Sequence, residues 1–169
     1  MVDAQLYLLR HAKSAWDVDV PDRERALAPR GRKAAPLMGR FLADVGEAPE
    51  LVLTSGARRA HDTAALAGAA GDWSAPVEVV SELYGATAGE LVEVVRRRSR
   101  SVDRVLVVGH EPGMSQAIAT LCGRVEVRFP TAALARIDLA VRSWRDVAAG
   151  SGALRWLVTP RLLRSAGRR

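Results

Sequence analysis

The stretch RVLVV, residues 104–108, limits the possible folds more than any other part of the chain. Its apolar residues are all β-branched or leucine, and the run is too short for a buried helix. A strand with one wet face would alternate apolar and polar residues. This one does not, so both of its faces must be covered, as in the interior of a sheet flanked by helices. Shorter runs of similar character occur at Leu6–Leu9, Glu50–Thr54 and Val77–Val80. Between them the apolar period changes to that of a helix. Gly31 to Val45 places Ala35, Met38, Leu42 and Val45 on one side, and Gly46 is a natural stop. Ala57 to Ala70 is alanine-rich and ends at Gly71, Gly89 to Arg98 is carried by Leu91, Val92 and Val95, and Pro112 to Cys122 opens with proline near its first turn. Ala132–Val141 and Leu154–Thr159 predict a closing pair of strands. The pattern predicts an α/β fold, a three-layer α/β/α sandwich with a mostly parallel central sheet and antiparallel strands near the C-terminal edge. With 169 residues, the chain has the length of a single domain, residues 1–169.

The formal net charge is +6, which favours anionic partners. Aromatic residues make up only 5% and no recognisable nucleic-acid module is present, so nucleic acid is not the expected partner. No apolar run approaches the ~18 residues of a membrane span, so no membrane partner is expected either. The start, MVDAQLYLL, lacks the basic opening and small-residue cleavage site of a signal peptide. The single cysteine, Cys122, allows no intramolecular disulfide and seeds no metal cluster. A cytoplasmic protein is the expectation, with no cofactor and no metal. Oligomeric state is left open, with a monomer favoured. The basic runs at Arg96 to Arg98 and in residues 161–169 read as solvated faces or a loose tail.

In open α/β sheets, ligands bind beyond the carboxyl ends of the strands. Arg10 and His11 follow the first strand. SGARRAHDTA follows the second, with Ser55, Arg58 and Arg59, and GHEPGM follows the fourth, with Gly109, His110 and Glu111. Like charges gathered at one sheet edge repel unless an anion sits between them. A phosphate fits this inventory: arginine forks bind two phosphate oxygens at once, and an imidazole is a competent nucleophile toward phosphorus.

These residues resemble the histidine phosphatase superfamily, the phosphoglycerate mutase-like proteins. The resemblance rests on Arg10-His11, on S-x-x-x-R-A-x-x-T from Ser55 to Thr63, and on Gly109-His110. RHAKSAWD, DRERALAPRG, SELYGATAGELVEVVR, VLVVGHEPGMS and WLVTPRLL are similar to the SixA-type phosphohistidine phosphatase branch, a likeness spanning residues 5–160. It implies that His11 is the nucleophile, that Arg10, Arg59 and His110 bind the phosphoryl group, and that Arg25 reaches the substrate from the loop of residues 17–29. Arg58 then points elsewhere. Glu82 is the candidate proton donor, although SELYG matches the family's donor motif poorly. Asp17 stands where many relatives have Asn, and is expected to orient Arg10 or Arg25 or to stabilise the loop. Ser55 is expected to cap the helix that carries Arg59. Glu111 and the four tryptophans read as structural, with Trp16 able to shape the pocket.

The activity implied is metal-independent hydrolysis through a phosphohistidine intermediate, with phosphohistidine on a protein as the favoured substrate. Two alternatives remain: a phosphatase for small phosphate monoesters, and a non-catalytic module that binds phosphate or a phosphoprotein.

Overall fold

A computed structural model describes residues 4–98 and 102–167. The chain runs through β1 (Gln5–Arg10), α1 (Pro29–Asp44), β2 (Leu51–Ser55), α2 (Arg58–Ala70), β3 (Val77–Val80) and α3 (Ala88–Arg98). It continues through β4 (Arg104–Gly109), α4 (Gly113–Leu121), β5 (Leu134–Leu139), β6 (Gly152–Val158) and α5 (Pro160–Ala166). The strands form one six-stranded sheet in the order β3-β2-β4-β1-β5-β6. The first four are mutually parallel, β5 runs antiparallel to β1, and β6 runs antiparallel to β5.

The period-2 geometry of β4 sorts its residues between two cores. Val105 and Val107 join Leu6, Leu8 and Leu53 against α3 and α4. Leu106 and Val108 join Tyr7, Leu9 and Val52 against α1 and α2, with Leu163 of α5 on the same side. Helices therefore cover both faces of the sheet, as the uninterrupted apolar character of β4 predicts. The alanines of α2 have a packing role. Ala60, Ala64 and Ala67 lie on one face and are buried, and α1 crosses so closely that a Cβ on Gly39 would fall 1.9 Å from the Ala67 carbonyl oxygen.

The structure departs from the sequence expectations at two places near the C-terminus. The strand expected from Ala132 starts only at Leu134. Ala132 has a positive φ of 58°, and the Ala133 N–H donates to the Pro130 carbonyl, so this segment is a turn. The tail expected to be loose contains α5. The Thr159 hydroxyl accepts the Leu162 N–H, proline occupies the first turn, and Leu163 packs into the core shared with α1. Thr159-Pro160 is a helix-start signature, an N-cap followed by proline at the first helical position. Residues 168–169 of that tail lie outside the described residues.

Candidate active site

Three parallel strands deliver their ends to one place. β1 ends at Arg10 and His11, β2 ends at Ser55, and β4 ends at Gly109 and His110. The His11 N–H donates to the Gly109 carbonyl at 3.0 Å, so the two histidine-bearing turns are stitched together through backbone. The imidazole rings of His11 and His110 lie 5.1 Å apart between centroids. The turn after β1 is also tied to α2. Thr63 Oγ1 accepts the Ala12 N–H at 3.0 Å and donates to the Arg59 carbonyl at 2.6 Å. This gives the threonine of the S-x-x-x-R-A-x-x-T pattern a physical task, which is to hold the backbone of His11-Ala12 in register with the helix that carries Arg59.

His11 is 8% exposed. Its Nδ1 lies 2.8 Å from the Ala12 carbonyl oxygen. A carbonyl only accepts, so Nδ1 carries the proton and Nε2 keeps its lone pair. Arg59 donates from Nε to that Nε2 at 3.3 Å. Burial pushes the His11 pKa down to about 3, with smaller downward contributions from His110, Arg59 and Arg10. His110 is pushed down to about 4, chiefly by burial and then by the Arg59 charge. Both rings are therefore neutral at physiological pH. His110 Nε2 lies 2.8 Å from Ser55 Oγ, and Ser55 Oγ also accepts the Ala57 N–H at 3.2 Å. Ser55 thus links β2 to His110, and the N-cap of α2 is Ala57, with no side-chain cap. Among the described residues, His110 Nδ1 and Arg10 Nε are buried polar atoms without a protein partner.

Arg10, His11, Arg59 and His110 line a cavity of about 420 Å³ together with Lys13, Arg25, Asp22, Tyr84 and Glu111. A larger cavity of about 670 Å³ lies between α4 and residues 123–127, away from this chemistry. Asp22, from a single 3-10 turn in the loop between β1 and α1, organises the cations. Its carboxylate accepts from Arg25 at 2.8 and 3.1 Å, from Arg59 at 3.0 Å and from the Tyr84 hydroxyl at 2.7 Å. Its backbone carbonyl accepts from Arg59 Nη1 at 2.7 Å. The Tyr84 hydrogen bond, followed by those from Arg25 and Arg59, holds the Asp22 carboxyl well below the usual carboxylate range. Arg25 is buried, also donates to Ser14 Oγ, and stacks 3.6 Å from the Trp16 ring, which is itself 71% exposed. Trp16 is thus a rim residue rather than a core residue.

Of the residues singled out in the sequence, Arg10, His11, Arg25, Arg59 and His110 are brought together. Glu82 is not. It is exposed, bonded to Ser81 and ion-paired with Arg97, and it does not line the cavity, because the turn after β3 directs it along the surface toward α3. Asp17 is exposed and also outside the cavity; the arginine-orienting task expected of it falls to Asp22. Arg58 points away and pairs with Asp62. Glu111 lines the cavity, but both its oxygens accept from Ser115, at its N–H and its hydroxyl. Asp22 and Tyr84 are the residues that sequence reasoning missed. The available signal was Asp22 standing three positions before Arg25, within one helical turn.

A family model for the histidine phosphatase superfamily (branch 1) matches residues 6–92. An uncharacterized protein of Mycobacterium tuberculosis is 37% identical over 163 residues, covering 90% of this chain and 100% of that protein. An uncharacterized protein of Mycobacterium leprae is 33% identical over 166 residues, covering 90% of this chain and 100% of its own length. Among solved structures, the protein histidine phosphatase SixA complexed with tungstate superposes with a TM-score of 0.81 at 28% identity, covering 93% of this chain and 97% of that one.

Proposed function

The chain belongs to the histidine phosphatase superfamily, and on that premise we propose that it hydrolyses phosphohistidine on a protein through a phosphorylated His11. The observation that carries this reading is the pairing of His11 Nδ1 with the Ala12 carbonyl at 2.8 Å, which leaves an unprotonated Nε2 facing the cationic cavity. Nε2 attacks phosphorus in line and the bond from phosphorus to the substrate nitrogen breaks. The attacking ring gains positive charge as the new bond forms, and the Ala12 carbonyl stabilises it through Nδ1–H. Arg10 and Arg59 neutralise the equatorial oxygens of the loose transition state. In this reading the Ser55 hydroxyl, which accepts from Ala57, donates its own proton to His110 Nε2. The His110 proton then resides on Nδ1, the buried atom that lacks a protein partner, where it can donate to a phosphoryl oxygen. Water attacks the phosphohistidine in the second step, releasing phosphate and restoring the Nε2 lone pair.

The acid–base inventory supports a phosphoramidate over an ordinary ester. Asp22 is held ionised, and both oxygens of Glu111 are occupied. Neither is a ready proton donor. An alkoxide leaving group loses on the order of 10²–10⁴-fold without positioned acid help, whereas an imidazole leaves readily once solvent has protonated it. The SixA protein complexed with tungstate supports the same reading of the anion site, since tungstate is a tetrahedral oxyanion.

The test offers a phosphohistidine peptide and a matched phosphoserine peptide to the wild type and to His11→Ala. The wild type should release phosphate from the first much faster than from the second, and should carry an acid-labile phosphoryl adduct. His11→Ala should form no adduct and lose on the order of 10³-fold or more in turnover. Substantial turnover by that variant would remove the nucleophile; faster release from phosphoserine would transfer the reading to ester substrates.

A further inference from the structure

Beside the reaction cavity lies a second depression of about 280 Å³ that shares Lys13 and Thr131 with it. Its lining includes Lys13, Arg30, Arg161 and Arg164, and no carboxylate. Among the described residues, none of these four cations forms an ion pair. Several exposed arginines elsewhere are neutralised locally: Arg58 pairs with Asp62, Arg98 with Glu78, Arg104 with Glu50 and Arg155 with Asp138. What sets this group apart is that four cations without an ion pair line one depression that holds no carboxylate.

Three distant segments assemble it. Lys13 is pressed against the first turn of α1, beside Arg30, because residue 31 is glycine: a Cβ there would lie 2.2 Å from the Lys13 carbonyl oxygen. The Ala28 N–H donates to that same carbonyl at 2.8 Å. Arg161 and Arg164 stand three apart on α5, so they share a face of that helix. Leu163 fixes α5 on the core that α1 also covers. Like charges held together in this way repel when nothing lies between them. An incoming anion reverses the sign of that interaction.

We infer that this depression is an auxiliary subsite for a second oxyanion carried on the leaving side of the substrate, with a carboxylate of an acidic segment flanking the phosphohistidine as its occupant. The inference rests on the phosphatase reading and adds a substrate preference to it. The shared mouth at Lys13 and Thr131 places the two anions on one molecule. Arg30, Arg161 and Arg164 are exposed, so they meet a side chain approaching from outside the protein.

The experiment measures kcat/KM for two phosphohistidine peptides that differ only in flanking residues, Glu and Asp in one, Gln and Asn in the other. The wild type is compared with R161Q/R164Q. The wild type should favour the acidic peptide by about tenfold at low salt, two to three partly exposed charge pairs' worth. The double variant should favour it by less than about twofold while turning over the neutral peptide at the wild-type rate. An unchanged preference in the variant would overturn the subsite, and so would an equal loss on both peptides. A small bisphosphate against its monophosphate forms the third arm. A preference for the bisphosphate that exceeds the peptide effect and disappears in the variant would keep the subsite and move its occupant to a second phosphate. If the wild type hydrolyses none of these, the phosphatase reading fails separately. The subsite is then judged by calorimetry with the unphosphorylated acidic peptide: weaker binding to the variant sustains it, and equal binding overturns it.

Discussion

Acid should destabilise this protein through its two neutral histidines, beginning far above the pH at which carboxylates titrate. His11 and His110 have pKa values near 3 and 4 in the folded state, against 6.5 for an unperturbed imidazole. Between about pH 6.5 and pH 5 the unfolded chain binds a proton at each ring and the folded chain does not. Stability therefore falls with falling pH over that window, by about 1.36 kcal/mol per unit for each ring. On reaching pH 5 the loss is about 2 kcal/mol from His11 and about 4 kcal/mol from the pair. This is a large part of the ~5–15 kcal/mol that holds a typical domain folded. His11→Asn removes one of the two groups while its amide can still donate to the Ala12 carbonyl. The assay is urea unfolding followed by tryptophan fluorescence at the two pH values, in buffers free of phosphate and sulfate, because a bound anion would raise both imidazole pKa values. The wild type should lose about 2 kcal/mol more than His11→Asn across the window. Carboxylates titrate alike in both proteins and drop out of the difference. Equal losses in the two proteins would refute the argument that burial keeps His11 neutral.

Asp22→Asn should tighten inorganic phosphate binding by about threefold to tenfold, because it removes a negative charge from between Arg25 and Arg59; kcat should fall at the same time as Arg59 loses its clamp, with calorimetry and steady-state rates as the two readouts. Ser55→Ala should lower kcat by about 10²-fold by freeing the His110 tautomer, while unfolding free energy drops by only about 1 kcal/mol for the lost hydrogen bonds. Glu82→Gln should leave turnover within about twofold of wild type, since general-acid loss would cost on the order of 10²-fold or more. Gly31→Ala forces a Cβ to 2.2 Å from the Lys13 carbonyl oxygen and should destabilise by about 1–3 kcal/mol in urea unfolding, with turnover reduced because the segment following His11 is displaced.

The layered fold was legible because the signals that carry it are local. Val105–Val108 declares a doubly covered strand, and the helical spacing of Ala35, Met38 and Leu42 declares the face that covers it. Arg10, His11, Arg59 and His110 were legible for a related reason: they follow strands that the parallel topology aligns at one edge, so sequence position translates directly into a shared location. Glu82 also follows a strand, but a single 3-10 turn swings it along the surface toward Arg97, and nothing in SELYG announces that rotation. Asp22 escaped because its partners come from elsewhere in the chain. Arg59 lies 37 positions away and Tyr84 lies 62 away, and no local pattern reports such contacts. The same holds for Ser55, whose hydroxyl meets a histidine 55 positions distant and does not cap the helix beside it. α5 was missed for a different reason: the charge of its arginines outweighed a two-residue start signal, Thr159-Pro160.

Asp22 grips Arg59 twice, through its carboxylate and through its own main-chain oxygen. The loop between β1 and α1 is thus mechanically tethered to Arg59, which also donates to His11 Nε2, and it cannot lift without disturbing that contact. Grafting a different loop between β1 and α1 would retune turnover along with selectivity. Conversely, a pull on the exposed Trp16 passes through the Arg25 stacked on it to Asp22, and from there to Arg59.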